Sequence, residues 1–215
     1  MKPTRNLSLI LLAWVLLPVL AQSLTLREAY EIALPLAQEW SPDAGLYRAH
    51  SADVEGDPNP QAGIDGKRRH WYLDFSKPEL VGFGNSGTNI ETMFYVEVLD
   101  GKPVRADSGF DPVDWGLIAP EEIPDSAALV AKAQKAGLVP SDSFAYGYHF
   151  DLFRNESQVM GQPGLLDAPK GAVFLEVTGR RAPGVLPKEV AEAPGAAGLS
   201  YLYFTPQGEL TKEFN

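Results

Sequence analysis

Apolar positions recur every three or four residues at the start of the folded sequence. Leu26, Ala29, Tyr30, Ala33, Ala37 and Trp40 fall on one face of a predicted helix. Thr25 and Glu28 stand at its head with the spacing of a capping box, in which each side chain satisfies a backbone N–H that the helix leaves free. Pro35 lies inside this stretch and predicts a kink, or the end of the helix's first part, because proline lacks the N–H a helix needs. The period then changes to two. Leu46–Glu55 predicts a strand. His70–Phe75 predicts a stronger one, with Trp71, Leu73 and Phe75 on one face and His70, Tyr72 and Asp74 on the other. Thr92–Leu99 predicts a third, running into the turn residues Asp100-Gly101.

The same order follows a second time. Asp125 can cap a helix through Ala127, Leu129, Val130, Ala133 and Gln134, ending at Gly137. Ala145–Phe153 predicts a strand with Tyr146, Tyr148, Phe150 and Leu152 on one face. Val173–Thr178 and Ser200–Thr205 predict two more, the last closed by Gln207-Gly208. Corresponding landmarks lie 100 residues apart at Thr25 and Asp125, 103 at Trp71 and Phe174, and 107 at Gly101 and Gly208. A slowly growing offset is what loop insertions in a duplicated unit produce. The expected organisation is a first unit over 22–105, a linker over 106–123 and a second unit over 124–215. The linker is rich in Asp, Pro and Gly, yet Phe110, Trp115, Leu117 and Ile118 can pack and order it.

The N-terminus has a different pattern. Lys2 and Arg5 precede the uncharged apolar run Leu7–Leu20, which is shorter than the roughly 20 residues of a membrane span. Pro18 breaks the run, and Val19-Leu20-Ala21 offers a cleavage site, with Ala21-Gln22-Ser23 as a second. Residues 1–21 are therefore expected to be a signal peptide and the protein to be periplasmic or secreted. No stable membrane insertion is expected after cleavage. The 215 residues hold no cysteine, which excludes thiol catalysis, cysteine metal ligands and disulfide staples. With 28 acidic and 18 basic residues the net charge is -10. Losing Lys2 and Arg5 leaves 16 basic residues and takes it to -12. Such a chain is a poor partner for nucleic-acid phosphates or an anionic membrane.

A helix followed by antiparallel strands, the last ending in a turn such as Leu99-Asp100-Gly101-Lys102-Pro103-Val104, resembles the PepSY family of extracytoplasmic domains. The alanine-rich helices at Leu24–Trp40 and Asp125–Gly137 resemble that family's opening helix. Phe94–Val104 and Leu202–Leu210 resemble its closing strand and turn. The resemblance implies an α+β fold of two tandem units, each one helix packed on a three- to four-stranded antiparallel sheet, PepSY-like or cystatin-like. It also implies a module that binds or restrains a protein or peptide partner and is not itself an enzyme. Pro35 and the long loops at Gly56–Lys67 and Lys77–Glu91 depart from the pattern.

Catalytic and cofactor signatures are sparse, and no cofactor is expected. His50, His70 and His149 each fall in a predicted strand, with no second histidine at zinc-binding spacing. His70 shares a face with Asp74, and His149 with Asp151, but no nucleophile motif accompanies either pair. An exported hydrolase built around His70 or His149 is the enzymatic alternative. Gly82-Phe83-Gly84-Asn85-Ser86-Gly87 matches a dinucleotide-binding pattern but lacks the strand before it and the helix after it. Asp53, Glu55, Asp57, Asn59 and Asp65 form an acidic loop whose oxygens suit calcium, although the EF-hand spacing fails. A calcium- or small-ligand-binding module is the other alternative.

The strand alternation leaves aromatic residues on the face away from the helices. Tyr72, Met93 and Tyr95 point outward in the first unit, Tyr201 and Tyr203 in the second. One-sided antiparallel sheets carry mostly polar outer faces. Tyr72, Tyr95, Tyr201 and Tyr203 are therefore the expected partner-binding residues, tyrosine being enriched at interfaces. The competing reading is that the two sheets pack on each other through these rings, or that cross-strand pairs of tyrosines stabilise each sheet.

Overall fold

A computed structural model of the chain describes residues 21–78, 92–109, 116–142, 145–155, 171–181 and 199–214. The expected signal peptide, apart from Ala21, and the glycine motif at 82–87 lie outside them. The fold is α+β: two helices on one large antiparallel sheet. Helix α1 is Leu26–Trp40, followed by β1 (Gly45–Ala52), β2 (His70–Ser76), β3 (Met93–Leu99) and β4 (Lys102–Gly109). Helix α2 is Ser126–Lys135, followed by β5 (Leu138–Val139), β6 (His149–Arg154), β7 (Val173–Arg181), β8 (Leu199–Phe204) and β9 (Leu210–Phe214). The strand order is β4-β3-β2-β1-β6-β7-β8-β9, with β5 beside the end of β7. The sequence leaves open two sheets packed face to face. Instead the strands join edge to edge, through the pairs Ala49–Leu152 and His50–Asp151 of β1 and β6.

The capping box forms as expected: Thr25 Oγ1 accepts from the Glu28 N–H at 3.2 Å, and Glu28 Oε2 accepts from the Thr25 N–H at 2.7 Å. Pro35 does not end the helix. It sits on the solvent face one turn after Glu31, also exposed, so water can reach the carbonyl that loses its donor. Asp125 caps α2 by accepting from the Ala127 N–H at 3.0 Å, and Gly137 ends it at φ +88°.

Both helices lie on the same face of the sheet. One continuous core contains Ala29, Ala33 and Ala37 of α1, Leu129, Val130 and Ala133 of α2, and alternate residues of the strands from Val96 and Trp71 to Phe150, Leu175 and Leu202. The Tyr30 ring stacks on Phe75 at 6.2 Å and the Trp40 ring on Phe94 at 5.5 Å. Alanines at the contact positions let the helices approach closely while these aromatics fill the space between.

Two sequence expectations change. The strand expected from Ala145 begins only at His149, because Ala145 and Gly147 take φ +54° and +77°. A Cβ at Gly147 would stand 1.9 Å from the Ala62 carbonyl oxygen, so only glycine fits there. Ala106–Gly109, expected to begin the linker, complete β4 instead. Farther along that segment Ile118 is buried and bridges to Leu46.

The first turns of the helices meet. Ser126 Oγ accepts from the Leu26 N–H at 3.1 Å and donates to the Gly66 carbonyl at 2.7 Å. Nearby, Arg68 is only 2% exposed. Its guanidinium donates to the carbonyls of Ala52 (2.8 Å), Tyr146 (2.8 Å) and Tyr148 (3.3 Å), and to Asp53 Oδ1 (2.8 Å). One side chain thus ties the end of β1 to the segment that enters β6.

Candidate functional site

The sheet face opposite both helices carries the ionisable residues. Register places one from each of seven strands in a single cross-strand row: Arg105, Glu97, Tyr72, His50, Asp151, Glu176 and Tyr203. Strand alternation alone assigns these residues to a face. Only long-range pairing aligns them.

The β1–β4 side of this face is open. A groove of about 370 Å³ is lined by His50, Tyr72, Asp74, Tyr95, Val96, Glu97, Arg105 and Asp107. The Tyr72 ring packs on two imidazoles: the His50 ring stacks on it at 5.1 Å and the His70 ring lies tilted against it at 4.7 Å. His70 Nε2 contacts Glu97 Oε1 at 2.9 Å, which fixes both. Burial holds His50 below the usual imidazole range, so it is neutral near pH 7, and its Nδ1 has no hydrogen-bond partner. Burial, helped by the Glu97 charge, pushes the Tyr72 hydroxyl up. Arg105 and Asp107 pair with each other at 2.6 Å on the exposed β4 edge.

The β6–β8 side is closed. Tyr203 is 6% exposed and Phe174 is equally hidden; together with Phe153 they form a second apolar cluster. Phe153 meets the Tyr203 ring edge-on at 6.3 Å. Glu176 is 9% exposed, and burial pushes its carboxyl up to about 7, with the nearby Asp151 charge adding to the shift. Thr178 donates to it at 2.8 Å. Asp151 instead stays paired with Arg48, whose Nε donates to Oδ1 at 3.0 Å. Of the four tyrosines expected to contact a partner, Tyr72 and Tyr95 line the groove. Tyr201 is half-buried, and Tyr203 packs with Phe153 and Phe174 rather than presenting a surface.

Elsewhere the polar residues bind one another. Of the two histidines that share a strand face with an aspartate, His70 contacts Glu97 and His149 contacts Asp53. Ser51, His149 and Asp53 have the composition of a hydrolytic triad, at 3.3 Å and 3.2 Å. Their setting does not match it. Ser51 is 7% exposed and its Oγ accepts from the Phe150 N–H at 3.0 Å. Arg68 lies 3.1 Å from His149 Nε2, and burial together with that charge lowers the imidazole's affinity for a proton. A general base needs the reverse.

The aspartates of the acidic loop are also engaged. Burial would push the Asp53 carboxyl up, but the Arg68 hydrogen bond and charge hold it below its ordinary value. Asp57 pairs with Arg69, Asp65 accepts from the Lys67 N–H at 3.0 Å, and Glu55 is exposed. Asp53, Asp57, Asn59 and Asp65 line a second cavity of about 220 Å³, together with Arg68 and Arg69. Among the described residues no three His, Asp or Glu side chains come together as metal ligands, and no helix is long and apolar enough to cross a membrane. No protein-family model, curated protein or solved structure matches this chain.

Proposed function

We propose that the chain is an exported, non-catalytic binding protein that holds or restrains a protein or peptide partner on the open side of its outer sheet face. The observation that carries this is the Tyr72–Tyr95 groove of about 370 Å³, on the face that neither helix covers. Tyrosines supply large contact area at small entropic cost, and a groove lined by a ring that its neighbours hold is preorganised. Export is read from the basic and apolar pattern of residues 2–21.

In this reading the chain is two tandem PepSY-like units. Each helix is followed by a consecutive antiparallel meander, β1–β4 after α1 and β6–β9 after α2. The units meet at equivalent strands, β1 and β6, and at Leu26 and Ser126, which are 100 residues apart. The calcium alternative has less support, because the arginine partners of Asp53 and Asp57 would have to be displaced first.

Co-purification tests the proposal. A tagged chain, mildly cross-linked in the cells that make it, is expected to bring down one stoichiometric protein. That protein is expected to disappear with Tyr72→Ala and Tyr95→Ala combined. Undiminished capture by the double variant would remove the assignment.

A further inference from the structure

We infer that the groove receives a cationic side chain, a guanidinium or ammonium group carried by a basic segment of the partner. This rests on the reading of the open face as the binding surface. Asp74, Glu97 and Asp107 line the groove against one lining guanidinium, Arg105, with His50 neutral beside them; Arg48, opposite Asp74 on β1, is already paired with Asp151. The chain around it is acidic overall, at -10. An anionic segment would meet three carboxylates. An apolar segment would strip their water and return no hydrogen bonds. A cation gains on both counts: the carboxylates attract it, and they orient its N–H groups.

The existing pairs do not block this. Glu97 has His70 on one oxygen, and a carboxylate offers about four acceptor positions. The Arg105–Asp107 pair is exposed on both sides, so an incoming guanidinium displaces it at little cost. The volume holds one long side chain and a few waters, each water taking about 30 Å³.

Calorimetric titration of the full chain with a hexa-arginine peptide tests the inference. A hexa-citrulline peptide, of the same shape without the charge, is the reference probe. The arginine peptide is expected to bind saturably, with an affinity that falls as salt rises. Glu97→Gln and Asp107→Asn together should weaken it about 10-fold, the scale of one charge-assisted hydrogen bond. Glu31→Gln and Glu39→Gln remove the same charge from the exposed face of α1 and should change it less than about 2-fold. Absence of saturable binding, equal binding of the citrulline peptide, or equal weakening by the helix-face pair would each overturn the inference. Asp107→Asn alone, on the exposed β4 edge, keeps the test sound if the double variant folds poorly. If Tyr72→Ala with Tyr95→Ala releases the co-purified partner while the carboxylate variants leave it bound, the cationic ligand is wrong and the binding face stands. If neither pair releases it, both fall.

Discussion

The two sides of the outer sheet face start from the same sequence signal and end differently. Each carries two outward tyrosines beside a histidine or a carboxylate. On the β1–β4 side, Tyr72 and Tyr95 line an open groove. On the β6–β8 side, Tyr203 closes over Glu176 with Phe153 and Phe174. The difference lies in the neighbours. Charged cross-strand partners are common to both sides: Tyr72 stands opposite Glu97, Tyr95 opposite Asp74 and Asp107, and Tyr203 opposite Glu176 and Lys212. On the closed side Phe153 pairs with Phe174, which supplies apolar surface for Tyr203 to cover. Outward alternation thus selects a face, and cross-strand composition decides whether that face is a surface or a second small core.

The largest expected effect falls on the seam that holds the two sides in one sheet. Arg68→Met should cost about 3 kcal/mol or more in denaturant unfolding, since it takes the guanidinium from three carbonyls and leaves the Asp53 carboxylate without its cation. A loss below about 1 kcal/mol would mean that the seam does not depend on this side chain. Next is the closed side itself. Tyr203→Ala should cost about 3 kcal/mol, as for other buried aromatics. The equivalent change on the open side, Tyr72→Ala, should cost about 1 kcal/mol or less while removing partner capture. Equal stability losses would erase the distinction between the sides.

A pH series sharpens the same contrast. Glu176 has a folded-state value raised from 4.5 to about 7. Its contribution is full below pH 4.5 and is lost as pH rises through about 7, up to about 3 kcal/mol in all. Relative to the native chain, Glu176→Gln should therefore become more stable step by step from pH 4.5 to 7. His149 works in the opposite direction. Its folded-state value is lowered, so its contribution is present above pH 6.5 and fades as pH falls below it. The comparison between native chain and variant cancels this term, because both carry His149. A pH-independent difference would mean that Glu176 is not buried as described.

The helices were legible because their signals are local. Thr25 with Glu28, and Asp125 with Gly137, mark ends through contacts within one turn. The strands around Trp71 and Val96 were legible from alternation. Local pattern could not reveal which strands adjoin, so the β1–β6 join was invisible, as was the row from Arg105 to Tyr203 that depends on it. Arg68 was hidden for a related reason. It stands between Lys67 and Arg69 in a trio that reads as solvent-facing, and only the carbonyls it meets set it apart. The start of β6 was misplaced because Ala145 takes a positive φ that alanine seldom adopts. Tyr72 and Tyr95 were legible as outward residues, and Tyr203 equally so, but its closure depended on Phe153 and Phe174 lying opposite each other.

Site-specific photo-cross-linking measures the central claim most directly. A photoreactive amino acid is placed at Tyr72, at Tyr95 and at Glu31 on the exposed face of α1, in the cells that make the protein. The account predicts one cross-linked protein at Tyr72 and Tyr95, far above the level at Glu31. Cross-linking that is equal at all three positions, or confined to Glu31, would contradict it.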